Sequence, residues 1–252
     1  MDGYHYRISD KLDALVVAQL HFLGSLSAGK GMNKETARDA GNKPCPEELT
    51  MRTNSALAKL RAGKVAVGPI VVYASPDLAE QIAHMGFDWV WLDWQHGEWT
   101  ETTLNSALAR FLGADTAPIV RVKGLDPGAI NHVLDMGAMG VIVPMVQNAA
   151  QARVAAQAVY YPPLGQRSGG GTRLGLLSGK DAGDYLAHAN EEMVLVVQVE
   201  TEEAVSNCEE IMRVPGVNAV LIGPGDLMID VKAHGHDESH HEKLVQEVAQ
   251  AA

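Results

Sequence analysis

The chain has 252 residues, 46% of them hydrophobic and 20% charged, with a formal net charge of −11. That apolar content suits a sizeable core and excludes a disordered chain, while the acidic balance excludes a nucleic-acid binder, which needs a basic surface for phosphates. Two cysteines, Cys45 and Cys208, are too few for a disulfide framework, so a reducing cytoplasm is the expected compartment.

The first stretch that needs a reading is the apolar run from Ala14 to Ala28. Its leader carries Asp2, Asp10 and Asp13 beside only Arg7 and Lys11, which is not the basic start of a secretory signal. The run is also shorter than the roughly 20 residues that cross a bilayer. Residues 1–53, with Gly24, Gly29, Gly31, Gly41 and Pro44 in a polar run, read as a lead-in of unassigned role, and 54–252 as one domain. No membrane partner is expected.

From Asn54 the pattern becomes regular. A helix is predicted over Ser55–Ala62, closed by Gly63. Six apolar runs then follow: Val67–Tyr73, Trp89–Trp94, Ala117–Val122, Gly140–Val146, Met193–Glu200 and Ala219–Ile222. They are rich in Val and Ile with little alternation, as parallel strands covered on both faces are. Amphipathic helices are predicted between them over Asp77–Met85, Thr102–Leu112, Pro127–Met136, Ala149–Val159 and Glu202–Val214, and a last helix from about Glu242. Strand then helix, repeated, is the pattern of an α/β fold with right-handed crossovers. Six strands by count suit an open doubly wound sheet. The chemistry favours a TIM-type (β/α) barrel, because the polar candidates follow the C-terminal ends of different strands, which a barrel gathers around one mouth.

Those candidates are few. Glu200 and Asp226 each stand where an apolar strand emerges, and two such carboxylates can share a hard cation with open positions left for substrate and water. Equally, each suits the cap of the helix that follows. His96 lies just past the second strand with Asp93 three residues earlier, a spacing that fits a base and its orienting partner or an idle loop histidine. Arg121 ends an otherwise apolar strand and needs an anionic partner, from the protein or from a ligand. Trp91 and Trp94 read as packing residues.

Other signals carry less. Ser168–Thr172 lacks the ending of a phosphate loop. The run His234–His241 reads as a solvated loop rather than a metal site, and Lys123 as a surface residue rather than a Schiff-base lysine.

Six ordered motifs make the chain similar to a known family. Trp-Leu-Asp-Trp-Gln-His-Gly at 91–97, Pro-Ile-Val-Arg-Val at 118–122 and Val-Ile-Val-Pro-Met-Val-Gln-Asn-Ala at 141–149 are the first three. Tyr-Pro-Pro-Leu-Gly-Gln-Arg at 161–167, Val-Gln-Val-Glu at 197–200 and Ile-Gly-Pro-Gly-Asp-Leu at 222–227 complete them. With these the chain, from about Asn54 onward, resembles the HpcH/HpaI aldolases, metal-dependent enzymes of 2-oxo acids that include 4-hydroxy-2-oxoheptanedioate aldolase and 2-dehydro-3-deoxyglucarate aldolase. Macrophomate synthase, of the same superfamily, shares the Trp-x-Asp-x-x-His spacing.

The resemblance implies cleavage of a 4-hydroxy-2-oxo acid to pyruvate and an aldehyde through a metal-stabilised pyruvate enolate. It implies Glu200 and Asp226 as ligands of Mg²⁺ or Mn²⁺, with Co²⁺ admissible. Gln198 and the backbone N–H of Gly225 would bind pyruvate, Arg121 would stabilise the enolate oxygen, and His96, held by Asp93, would move the proton through a water. It also implies a homo-oligomer built by C-terminal elements, and a barrel lacking its last two βα units here. A non-catalytic paralogue or modulating subunit is the other class of reading. Oxaloacetate decarboxylation or a macrophomate-synthase-like addition would be a related reaction through the same enolate.

Overall fold

The computed structural model describes residues 51–251; the expectations for Ala14–Ala28, for the polar run ending at Pro44 and for Cys45 lie outside them. Six strands form one sheet: β1 (Ile70–Val71), β2 (Trp89–Asp93), β3 (Ala117–Arg121), β4 (Gly140–Val143), β5 (Val194–Val199) and β6 (Ala219–Ile222). Every pair is parallel and the order follows the sequence from β1 to β6. A doubly wound sheet reverses its strand order at a switch point, and no reversal occurs here. Every crossover advances in one direction, so right-handed connections place the crossover helices on one face.

Those helices are α2 (Pro76–Ala83), α3 (Glu101–Arg110), α4 (Pro127–Asp135), α5 (Ala149–Val159), α6 (Leu174–Ser178), α7 (Ala182–Glu192), α8 (Glu202–Ser206) and α9 (Cys208–Met212), followed by α10 (Pro224–Ala233) and α11 (Glu238–Ala251). The starts of α2, α3, α4, α5, α7 and α8 are set by side-chain caps: Ser75, Thr100, Asp126, Asn148, Asp181 and Thr201 each accept a hydrogen bond from a first-turn N–H. Val90, Leu92, Val120, Val141, Leu195 and Val197 pack under the helices in the larger core.

The opposite face of the sheet has its own core. Trp89, Trp91, Ile119, Ile142, Val194 and Leu221, at alternate positions along their strands, meet Ala56 and Leu57 of α1 (Ser55–Arg61). Asn54 seats that helix. Its side chain caps Leu57 and donates to Met139 O at 2.9 Å and Glu192 O at 3.0 Å.

Several boundaries differ from the sequence reading. β4 stops at Val143 rather than Val146, because Pro144 has no N–H to give the ladder. The helix expected over Glu202–Val214 divides at Asn207, whose side chain donates to Gln147 O at 2.9 Å. The last helix begins at Glu238, so His240 and His241 are helical and not part of a solvated loop. Residues 174–192 hold α6 and α7, to which the sequence pattern assigned no elements. No described helix is long and apolar enough to cross a membrane.

Candidate active site

Side chains at alternate positions of a strand share a face, so the series Trp89–Trp91–Asp93, Ala117–Ile119–Arg121 and Val194–Val196–Gln198–Glu200 all line the face that α1 covers at its lower end. Each series turns from apolar to polar as its strand nears its C-terminal end. Register aligns Asp93 with Arg121, and the result is a polar tier above an apolar one.

Within that tier the hydrogen bonds run unbroken. Arg121 grips Asp93 with two donors, Nε to Oδ1 at 2.8 Å and Nη2 to Oδ2 at 2.5 Å. Its Nη1 reaches Gln198 Oε1 at 3.4 Å. Gln198 Nε2 donates to Glu200 Oε1 at 3.0 Å, and the backbone N–H of Met145 donates to Glu200 Oε2 at 2.9 Å. Met145 adopts φ +55°, a left-handed conformation that a side chain disfavours, and this aims its N–H at the carboxylate. The guanidinium carbon of Arg121 lies 4.6 Å from the centre of the Trp91 ring, so the fork is stacked as well as hydrogen-bonded. Of its five N–H groups three are engaged; one on Nη1 and one on Nη2 are left for a ligand.

The two acids in this chain are pulled in opposite directions. Burial alone pushes the Asp93 carboxyl up, but the Arg121 guanidinium and the N–H groups of His96 and Gln95 hold it below its ordinary value. Burial raises Glu200 against the Met145 hydrogen bond, and the neighbouring Asp226 carboxylate raises it further. A buried acid whose charged form is disfavoured, beside a second acid, is a place where a cation relieves both.

Asp226 stands exposed in the first turn of α10, where Gly223 is the N-cap and no side chain caps the helix. The N–H groups of Gly225 and Asp226 therefore have no intrahelical acceptor. Gly223 lets the backbone pass against Glu200: a Cβ there would lie 2.2 Å from Glu200 Oε1. The two acids offer oxygen donors, and the space beside Glu200 is one that a Cβ at position 223 would fill. Both fit a hard divalent cation. Gly223→Ala is expected to push Glu200 aside and cut turnover by about 10²-fold, the usual effect of an ångström-scale misplacement. The kcat of this variant is the check.

His96 is where the sequence reading and the geometry part. Asp93 Oδ1 accepts from the backbone N–H of His96 at 3.2 Å and of Gln95 at 3.1 Å. The acid thus orders the loop that carries His96, whose ring is exposed at the rim, and its carboxylate is committed to Arg121. Lys123 is also exposed, with Nζ 4.9 Å from the Trp94 ring centre. Two participants went unread in the sequence: the Met145 N–H, which leaves no side-chain signal, and Gly223, for which the Gly-Pro-Gly run was the available cue.

A model of the HpcH/HpaI aldolase/citrate lyase family matches residues 70–252. A 4-hydroxy-2-oxovalerate aldolase of Novosphingobium aromaticivorans is 41% identical over 178 residues, covering 69% of this chain and 66% of the relative. A 4-hydroxy-2-oxo-heptane-1,7-dioate aldolase of Klebsiella pneumoniae is 38% identical over 183 residues, 73% of this chain and 69% of that one. Among solved structures, an HpcH/HpaI aldolase of Desulfitobacterium hafniense superposes with a TM-score of 0.69 at 30% identity, over 77% of this chain and 76% of its own. Macrophomate synthase does so with a TM-score of 0.69 at 25% identity, over 82% and 75%.

Proposed function

The chain belongs to the HpcH/HpaI aldolase/citrate lyase family, and from that membership we propose that it is a divalent-metal-dependent aldolase, cleaving a 4-hydroxy-2-oxo acid into pyruvate and an aldehyde on a TIM-type barrel. The observation that carries this reading is the buried chain Asp93–Arg121–Gln198–Glu200, ending beside Asp226. Glu200 and Asp226 would hold the cation, Mg²⁺ or Mn²⁺ by their oxygen donors. When bound, it supplies a Lewis acid that draws charge from the 2-oxo group.

The chain's own groups supply the rest. The free N–H groups of Gly225 and Asp226, at the positive end of α10, receive the substrate carboxylate. The two spare N–H groups of Arg121 and the spare one of Gln198 face the 2-oxo oxygen, where negative charge develops, and their fixed positions favour that charge. His96, through a water, takes the 4-hydroxyl proton. The C3–C4 bond then breaks, its electron pair forms the C2–C3 double bond of the enolate, and the aldehyde departs. Return of the proton to C3 gives pyruvate.

A small-molecule substrate, a cytoplasmic location and a homo-oligomeric assembly accompany the reading. The assembly is supported by the exposed apolar side chains of Val65, Val67, Ile70 and Tyr73 around the edge strand β1, a surface that solitary molecules seldom leave open. The chemistry is tested by following pyruvate release from 4-hydroxy-2-oxo acids. A chelator is expected to abolish it and Mg²⁺ or Mn²⁺ to restore it. Release that survives chelation but is stopped by borohydride would transfer the reaction to a lysine and sink the proposal.

A further inference from the structure

On the outer side of the β5 exit lies a cluster that the aldolase reading leaves unused. Glu202 begins α8, His236 sits in the turn between α10 and α11, and His240 occupies the first turn of α11. One ligand atom from each lies within 4.8 Å of the other two. His236 Nδ1 is 2.8 Å and His240 Nε2 3.5 Å from the same oxygen, Glu202 Oε1. The two rings stand 4.2 Å apart between centres.

The backbone holds all three in place. Glu202 N–H donates to Asp230 Oδ2 at 2.8 Å. Gly235, at φ +82°, turns the chain out of α10 so that His236 N–H returns to Val231 O at 3.0 Å. Asp237 caps α11, accepting the His240 N–H at 3.2 Å. None of these bonds uses a ring nitrogen of His236 or His240.

We propose that Glu202, His236 and His240 form a second metal site, for a borderline cation of the Zn²⁺ type. Two imidazole nitrogens with one carboxylate oxygen select Zn²⁺, Ni²⁺ or Cu²⁺ over Mg²⁺. Ligand atoms around a tetrahedral zinc with bonds of 2.0–2.2 Å lie about 3.4 Å apart, so the 2.8 Å spacing would open by about half an ångström and the 3.5 Å one already suits, with the two imidazole nitrogens, within 4.8 Å of each other, closing on the ion. Such an ion would join α8 to the α10–α11 turn. Glu202 follows Glu200 by two residues, and α10 carries Asp226, so the ion would tie the segment that follows one acid of the active site to the end of the helix that carries the other. The proposal stands on its own residues, whether or not the aldolase reading holds.

Titrating the metal-stripped full chain with Zn²⁺ in saturating Mg²⁺ tests it. One equivalent is expected to bind at least tenfold more tightly to the wild-type chain than to His236→Ala/His240→Ala, and to raise Tm by about 5 °C at a hundredfold excess over Kd. Cu²⁺ at the site should show paramagnetic-resonance couplings to two nitrogens, absent in the double variant. His234→Ala/His241→Ala, which removes the neighbouring histidines, should bind as the wild type does, and circular dichroism establishes that each variant is folded. A difference below tenfold, nitrogen couplings that persist in the double variant, or equal loss in the control variant would overturn it.

Discussion

Glu200→Gln is expected to lower pyruvate release by 10³-fold or so, since it removes one of the two charges that hold the cation together with the charge stabilisation the cation provides. Stability should not follow activity. The Glu200 carboxyl is raised by burial and by Asp226, so in the metal-free protein its charge opposes folding at neutral pH. An acid raised on folding binds its proton more tightly in the native state, and stability then grows as pH falls from neutrality through that raised value. Glutamine removes the charge and with it this pH dependence. It also forfeits one of the two hydrogen bonds, since an amide cannot accept from both Gln198 Nε2 and Met145 N–H, at a cost of about 1 kcal/mol. The two effects oppose each other, so metal-free wild type and variant should melt within about 3 °C at pH 7. A variant that melts far lower would mean that Glu200 is a structural ion-pair residue. One that keeps full turnover would remove it from the site.

Arg121→Ala should act on both properties. Asp93 is 2% exposed, and loss of its fork leaves a buried charge without a partner, a change worth about 3–5 kcal/mol, or about 10 °C in Tm for a domain of this size. Turnover should drop by at least 10²-fold, as when one oxyanion donor is removed. Arg121→Lys restores charge without the bidentate geometry and should recover stability in part and activity little. The sign of the pH effect is opposite to that of Glu200. With Asp93 held below its ordinary value, its contribution is present above the usual carboxylate range and fades as pH falls through the lowered value. The gap in stability between wild type and Arg121→Ala should therefore narrow in acid. A gap that stays constant with pH would mean that the pair contributes by packing alone.

Much of this arrangement can be read in the residues themselves. Strands β2, β3 and β5 announce themselves as apolar runs, and each carries a polar side chain at or next to its C-terminal end that needs a partner from the protein or a ligand. That is why Asp93, Arg121 and Gln198 stand out, with Glu200 just beyond β5. Elements α6 and α7 are silent because their buried faces are thin: in α7 only Tyr185 and Ala189 are buried, too few to set a period. What holds Glu200 from outside its own strand is hidden for a different reason. Met145 contributes a main-chain N–H, and Gly223 contributes the lack of a side chain; neither is a residue type that carries chemistry on its face. The role of Asp93 shifted for a third reason, because sequence distance to His96 cannot tell whether a carboxylate serves a ring or a backbone.

The separation of the inner sheet face into two heights has a practical meaning. Whatever reaction is run at the rim, the rungs below it, from Trp89 and Ala117 to Ile142 and Val194, can be left untouched, since they pack on one another, on Ala66 and Met139, and on α1. A redesign of specificity would then be confined to the top rung of each strand and the turn that leaves it. Thermal robustness, conversely, could be improved from underneath without the chemistry registering the change.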